Sequence, residues 1–137
     1  MRVYLDSSSF AKRFVEESGS DDVEKICAEA TDLGLSVLCV PEIVSALNRR
    51  RRERALTQSQ YDTAKRRLIE DVRDAEIIDL TSSVVGSSLT VLEASRVRTL
   101  DALHIACAIE WEAELFVSSD KRQLAAAKRA GLKTREV

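Results

Sequence analysis

Four carboxylates occupy positions from which they could act together: Asp6, Glu42, Asp101 and Asp120. Asp6 directly follows the apolar run Val3-Tyr4-Leu5, Glu42 follows Pro41, Asp101 comes two residues after Thr99, and Asp120 ends the run Phe116-Val117-Ser118-Ser119. Taken singly, each is explained by amide capping and the helix dipole. Taken together they are not, because Asp6 and Asp101 lie beside heavily apolar segments. Carboxylates crowded into a partly dry pocket repel one another and take up protons. A divalent cation removes that cost, and oxygen donors without a His or Cys cluster favour Mg²⁺ or Mn²⁺ over zinc. Ser8 and Ser118 are the hydroxyls nearest in sequence, and each could orient a carboxylate or a bound water. His104, the single histidine, reads as a hydrogen-bonded core residue in preference to a ligand. Cys27, Cys39 and Cys107 lack a base in any recognisable nucleophile motif, so they read as reduced, buried thiols of a cytoplasmic protein.

The elements that must position these acids follow from apolar spacing. Val3–Leu5 suits an interior strand, and Ser7-Ser8-Ser9 opens a helix running through Phe14 and Val15. Ser20 caps a second helix, Leu33–Val40 is a second strand running into a loop, and Pro41 takes the first position of the helix that carries Glu42. Tyr61, Ala64, Leu68, Val72 and Ala75 form one helical stripe, followed by a third strand at Ile77–Leu80. Residues 82–95 are expected to be helical, burying Val84, Val85, Leu89 and Leu92. Thr99 caps a helix apolar almost all round, which belongs in the middle of the domain. Leu115–Val117 is a fourth strand, Asp120 starts the last helix, and Leu132–Val137 adds a short final strand. Short strands without alternation, separated by helices, imply a parallel sheet covered on both faces. The carboxyl ends of such strands share one rim where ligand crevices open, and connectivity pushes Asp6, Glu42 and Asp120 towards it.

A length of 137 residues fits one domain spanning 1–137, and one Pro with four Gly leaves helices to fill much of it. No run reaches the roughly 18 apolar residues a membrane span needs, and Met1 leads straight into a strand with no secretory leader expected. The glycines are scattered singly, which excludes a phosphate-cradling loop, and Asp6-Ser7-Ser8 lacks the second acid of an aspartyl-phosphate phosphatase. A phosphoryl-accepting regulatory domain fits the size but not the dispersed acids. The net charge of -2 does not advertise a nucleic-acid binder, so the distribution of charge decides. Arg49, Arg50, Arg51, Arg52 and Arg54 form a dense basic patch about two turns beyond Glu42. That patch could hold RNA or face a protein partner.

The motifs Val3-Tyr4-Leu5-Asp6-Ser7-Ser8, Pro41-Glu42-Ile43-Val44-Ser45-Ala46-Leu47, Arg98-Thr99-Leu100-Asp101-Ala102-Leu103-His104-Ile105-Ala106 and Phe116-Val117-Ser118-Ser119-Asp120 resemble, in order and spacing, the PIN domain. More narrowly they are similar to VapC toxins of toxin–antitoxin pairs. The resemblance implies a three-layer α/β/α PIN-like domain with a central, mainly parallel sheet of four to five strands. It implies an Mg²⁺- or Mn²⁺-dependent endoribonuclease with Asp6, Glu42, Asp101 and Asp120 as metal-binding and catalytic acids. Ser118 then takes the family's hydroxyl position two residues before the last acid. The implied partners are RNA (tRNA and rRNA fragments being the ones to assay), a VapB-like antitoxin, and a second copy in a homodimer. Gly86-Ser87-Ser88 departs from the family pattern, in a stretch bearing on substrate or dimer contacts. The alternative is a non-catalytic PIN-like module that binds RNA or protein.

Overall fold

The three central strands form because short, largely buried segments alternate their side chains between two helical layers. A computed structural model describes residues 1–137. In chain order the elements are β1 (Arg2–Leu5), α1 (Ser7–Phe10), α2 (Ser20–Glu29), β2 (Asp32–Ser36), α3 (Cys39–Arg52), α4 (Gln58–Asp71), β3 (Glu76–Ile78), α5 (Ser82–Ala94), α6 (Thr99–Glu110), β4 (Leu115–Ser118), α7 (Lys121–Arg129) and β5 (Thr134–Glu136). The five strands are all parallel, in the order β3-β2-β1-β4-β5. Val3, Leu5, Leu35 and Val117 face one apolar layer with Phe10, Ile43, Leu47 and Leu68, whereas Tyr4 and Phe116 face the other with Ile105, Ala106 and Val84. This is the expected three-layer α/β/α arrangement. No helix is long and apolar enough to cross a membrane.

Several boundaries differ from expectation for identifiable reasons. The first helix is a single α-turn that tightens into a 3₁₀ turn at Ala11–Arg13. Helix α3 begins at fully buried Cys39, so Pro41 is its third residue, where an amide would still lack an intrahelical partner. Gly19 and Arg98, not Ser20 and Thr99, stand at the N-caps of α2 and α6. Strand β2 stops at Ser36, whose hydroxyl accepts the Leu38 amide and turns the chain into α3. On α5 the buried line is Val84, Ser88 and Val91, leaving Val85 and Leu89 exposed. Ser88 satisfies its hydroxyl on the Val85 carbonyl at 2.6 Å, which makes the polar residue tolerable on the inner face.

Close packing near the sheet turns on one glycine. A side chain at Gly34 of β2 would meet the Trp111 ring at 2.7 Å. That ring is fixed by Nε1 donating to Glu76 Oε2 at 2.8 Å and by the Arg2 guanidinium 4.3 Å from its centroid.

Candidate active site

The order of the sheet reverses at β1, with β2 on one side and β4 on the other, so a crevice opens beyond the ends of β1 and β4. Asp6 follows β1 there and is 4% exposed. A carboxylate so buried needs donors, and the chain supplies them locally. Ser9 donates from its amide at 2.9 Å and its hydroxyl at 2.7 Å, while the Ser8 hydroxyl sits 3.0 and 2.9 Å from the two carboxylate oxygens. Across the crevice, Ser118 Oγ at the end of β4 donates to Asp6 Oδ2 at 2.8 Å. The same hydroxyl accepts the Asp120 amide at 3.0 Å and lies 2.9 Å from Oε1 of the buried Gln123. Ser118 thus locks Asp6 to the loop carrying Asp120. Both hydroxyls that the sequence singles out, Ser8 and Ser118, bond the Asp6 carboxylate.

Glu42 is positioned by a chain of contacts that runs through the core. Its Oε1 accepts from Ser7 Oγ at 2.8 Å and from His104 Nε2 at 2.7 Å. His104 Nδ1 in turn lies 2.6 Å from the hydroxyl of fully buried Tyr4. Burial pushes Glu42 upward, but the bonds from His104 and Ser7 together with the imidazole's field outweigh it and hold the carboxyl below its ordinary range. Burial holds the Tyr4 phenol well above its ordinary value, so it carries its proton and donates to Nδ1. An unprotonated Nε2 would face an ionised carboxylate, acceptor against acceptor, so Nε2 carries hydrogen. Both bonds to Glu42 fall on Oε1, which leaves Oε2 without a protein partner.

Asp101 and Asp120 share a cleft of about 320 Å³ with Arg96, Arg98 and Arg122. Burial, then the charges of Asp120 and Asp6, raise the Asp101 carboxyl; the Arg98 amide and His104 pull it back only in part. Asp120 caps α7, accepting the Arg122 and Gln123 amides at 2.8 and 3.2 Å, so the capping role holds beside any other. Gln123 reaches the Asp101 carbonyl at 3.4 Å and ties α7 to α6. As they stand, no three His, Cys, Asp or Glu side chains form a group that could hold a metal ion.

Sequence reasoning placed His104 in the core without finding its bond to Glu42, and missed Tyr4 and Gln123. A phenol on a strand buried on both faces signals that its hydroxyl needs a partner. Gln123, one turn after Asp120 on the inner face of α7, carries a similar signal. The basic patch on α3 is partly consumed by the fold. Arg50 pairs with Glu17 at 3.1 Å, and Arg51 bonds Asn48 and Gln58 and lies 4.6 Å from the Tyr61 ring centroid.

Known proteins share this fold. The PIN domain model matches residues 3–129. Two Mycobacterium tuberculosis proteins, ribonuclease VapC45 and ribonuclease VapC49, are each 31% identical over 108 residues, covering 78% of this chain and 74% of their own length. Among solved structures, VapBC2 from Rickettsia felis, bound to a promoter DNA fragment, gives a TM-score of 0.72 at 13% identity, covering 100% of this chain and 99% of that one. Mycobacterium tuberculosis VapC20, described as a sarcin-ricin loop cleaving toxin, gives 0.71 at 16% identity with 98% of both chains covered. The match to the domain model over nearly the whole chain, with the two relatives above 30% identity, shows that this protein belongs to the PIN domain family and is homologous to the VapC-type toxins of toxin–antitoxin systems.

Proposed function

We propose that this PIN-domain protein is an Mg²⁺- or Mn²⁺-dependent endoribonuclease, the VapC-type toxin of a type II toxin–antitoxin pair. The observation that carries the reading is Asp101, whose carboxyl is raised by burial and by the charges of Asp120 and Asp6. A hard divalent cation would relieve the repulsion among carboxylates that disturb one another in this way, and oxygen donors suit such a cation. Asp6 and Asp101 would be the principal ligands, with Asp120 completing the set and Glu42 binding through water or helping to deprotonate the nucleophile. When bound, the cation acidifies water and stabilises charge on phosphoryl oxygens.

The chain's own groups do the positioning. Ser8, Ser9 and Ser118 hold the Asp6 carboxylate at the rim of the sheet, and Ser118 couples it to the Asp120 loop. His104 and Ser7 occupy Oε1 of Glu42, so Oε2 is the atom available to accept a proton from an attacking water. Glu42 is ionised at neutral pH and can accept a proton there, although its lowered carboxyl makes it a weaker base than an ordinary glutamate. A cleft that holds Asp101 and Asp120 and no histidine is consistent with hydrolysis in which water, not a side chain, attacks phosphorus.

The VapB-like antitoxin partner is carried over from the homologous VapC toxins. Homodimer formation is supported by the exposed apolar residues Val85 and Leu89 on α5. A cytoplasmic setting accords with three free thiols. The test is Asp101→Asn, chosen because Asp101 is only partly buried whereas Asp6 sits in a tight net of donors. Mg²⁺-dependent cleavage of tRNA and rRNA fragments should be lost, together with calorimetric cation uptake. Undiminished cleavage by D101N refutes the assignment, and RNA binding without cleavage by the wild type supports a non-catalytic module instead.

A further inference from the structure

Only three of the chain's fifteen arginines pair with a carboxylate, and four of the remaining twelve converge on one surface. Arg96, Arg98, Arg122 and Arg129 are all exposed, and none forms an ion pair, although Arg96, Arg98 and Arg122 share a cleft with Asp101 and Asp120. The arginine ion pairs of the chain lie elsewhere, at Arg13, Arg50 and Arg135. Arg129 makes one contact, donating to the Ala94 carbonyl at 2.6 Å.

Arg96, Arg122 and Arg129 border a second cavity beside that cleft. It is about 760 Å³, walled by Leu92–Arg96 at the end of α5 and by Arg122, Ala125, Ala126 and Arg129 of α7. Arg96 and Arg122 line both cavities, so the two adjoin at these side chains. Along α7 the lining residues fall at i, i+3, i+4 and i+7, one face of the helix. Arg122 and Arg129 are therefore about 10 Å apart along the axis, with two alanines forming a low floor between them. Glu93 is the single acid against three arginines in this cavity.

A low floor between arginines, beside a cleft in which three arginines flank Asp101 and Asp120, matches an anionic chain whose backbone is held while one linkage reaches the acids. We propose that the groove between the end of α5 and α7 is the track for the sugar-phosphate backbone of single-stranded RNA, with Arg96, Arg98, Arg122 and Arg129 holding its phosphates. The inference rests on the ribonuclease reading and assigns its substrate track. It also moves the expected contact away from the Arg49–Arg54 patch, where Arg50 and Arg51 are already engaged. Planar guanidinium groups bind phosphate oxygens bidentately, which favours arginine in this role.

The test measures binding apart from cleavage. Fluorescence anisotropy with a labelled single-stranded RNA oligonucleotide in EDTA compares wild type, R96A/R122A and the control R49A/R52A. Each phosphate contact to a single strand contributes a factor of about the 0.7 power of salt concentration, so two lost contacts weaken binding roughly 14-fold at 0.15 M salt. The slope of log affinity against log salt should fall by about 1.4. The control should bind as wild type does, and a methylphosphonate backbone should abolish the difference between wild type and R96A/R122A.

Affinity of R96A/R122A within twofold of wild type, or a loss confined to R49A/R52A, overturns the track. Unchanged RNA affinity with loss of polyglutamate peptide binding also overturns it, making the groove a dock for acidic protein. The two readings separate in a cleavage assay with Mg²⁺. Groove-dependent RNA binding by a wild type that never cuts keeps the track and removes the ribonuclease. Wild-type cleavage retained by R96A/R122A at subsaturating RNA keeps the ribonuclease and removes the track.

Discussion

Replacing Tyr4 by Phe takes a single oxygen from a fully buried position, and its effect can be worked from the contacts. The ring is stacked on Phe116 with centroids 5.5 Å apart and planes 7° from parallel, so its packing is kept. What goes is the hydroxyl 2.6 Å from His104 Nδ1. His104 is 3% exposed, so no water replaces the donor and Nδ1 becomes a buried acceptor with no partner. Losing a neutral hydrogen bond costs about 1 kcal/mol, and stranding its partner brings the total to about 1–3 kcal/mol. For a domain of this size, 2 kcal/mol corresponds to a fall in Tm of roughly 6–10 °C.

A second readout separates this from a general loss of packing. The chain has one histidine, so a nitrogen-15 correlation spectrum of the imidazole has no overlap. In the wild type Nε2 should carry hydrogen and Nδ1 should show the signal of a hydrogen-bonded acceptor. In Tyr4→Phe the Nδ1 signal should move to that of an unbonded nitrogen, while Nε2–H stays on Glu42. An unchanged Nδ1 signal with Tm within about 1 °C of wild type would refute the buried Tyr4–His104–Glu42 chain.

Other perturbations have opposite signs that make them informative. Glu42 is held below its ordinary range, so its stabilising contribution is present above that range and lost as pH falls through the lowered value. Glu42→Gln should therefore lower Tm at pH 7, by about 1–3 kcal/mol in stability from weakened bonds to His104 and Ser7. Asp101 is raised, so folding disfavours its charge, and Asp101→Asn should raise Tm at pH 7 in cation-free buffer while abolishing cleavage. Paired melts of the two variants check the signs. Gly34→Ala should destabilise by about 1–3 kcal/mol, because the new methyl meets a Trp111 ring that its bonds prevent from retreating; urea unfolding measures it. Burial pushes the Cys39 thiol up to about 12, so above pH 9 the unfolded chain loses a proton that the folded chain keeps. Stability should fall with pH from 9 to 12, and Cys39→Ala should flatten that fall in urea titrations at successive pH values.

What the sequence revealed and concealed follows from the range over which each signal acts. Asp6 and Asp120 were legible because a residue within two positions of the end of a parallel strand has little choice of place. Their capping and orienting partners, Ser8, Ser9 and Ser118, lie within three residues or at the adjacent strand end. The same local logic set the outline of the sheet. It failed on α5 because Val84, Val85, Leu89, Val91 and Leu92 offer two apolar faces, and periodicity cannot choose between them. The packing of α5 on α6 decided in favour of the face containing Ser88, a small residue that satisfies itself. Glu42 required more. Its carboxylate is set by His104, 62 residues away, which is in turn set by Tyr4, 100 residues from that histidine. The sequence shows each end of this chain as an ordinary buried side chain, and only folding makes them adjacent. The groove arginines were hidden for a related reason. A run such as Arg49–Arg54 is conspicuous in a sequence because its members are contiguous, yet neighbours on a helix point in different directions and two of these are spent on the fold. Arg96, Arg98, Arg122 and Arg129 come from two segments and present one surface. For a surface that must follow an extended anion, convergence in space is the relevant quantity, and density along the chain is a poor substitute for it.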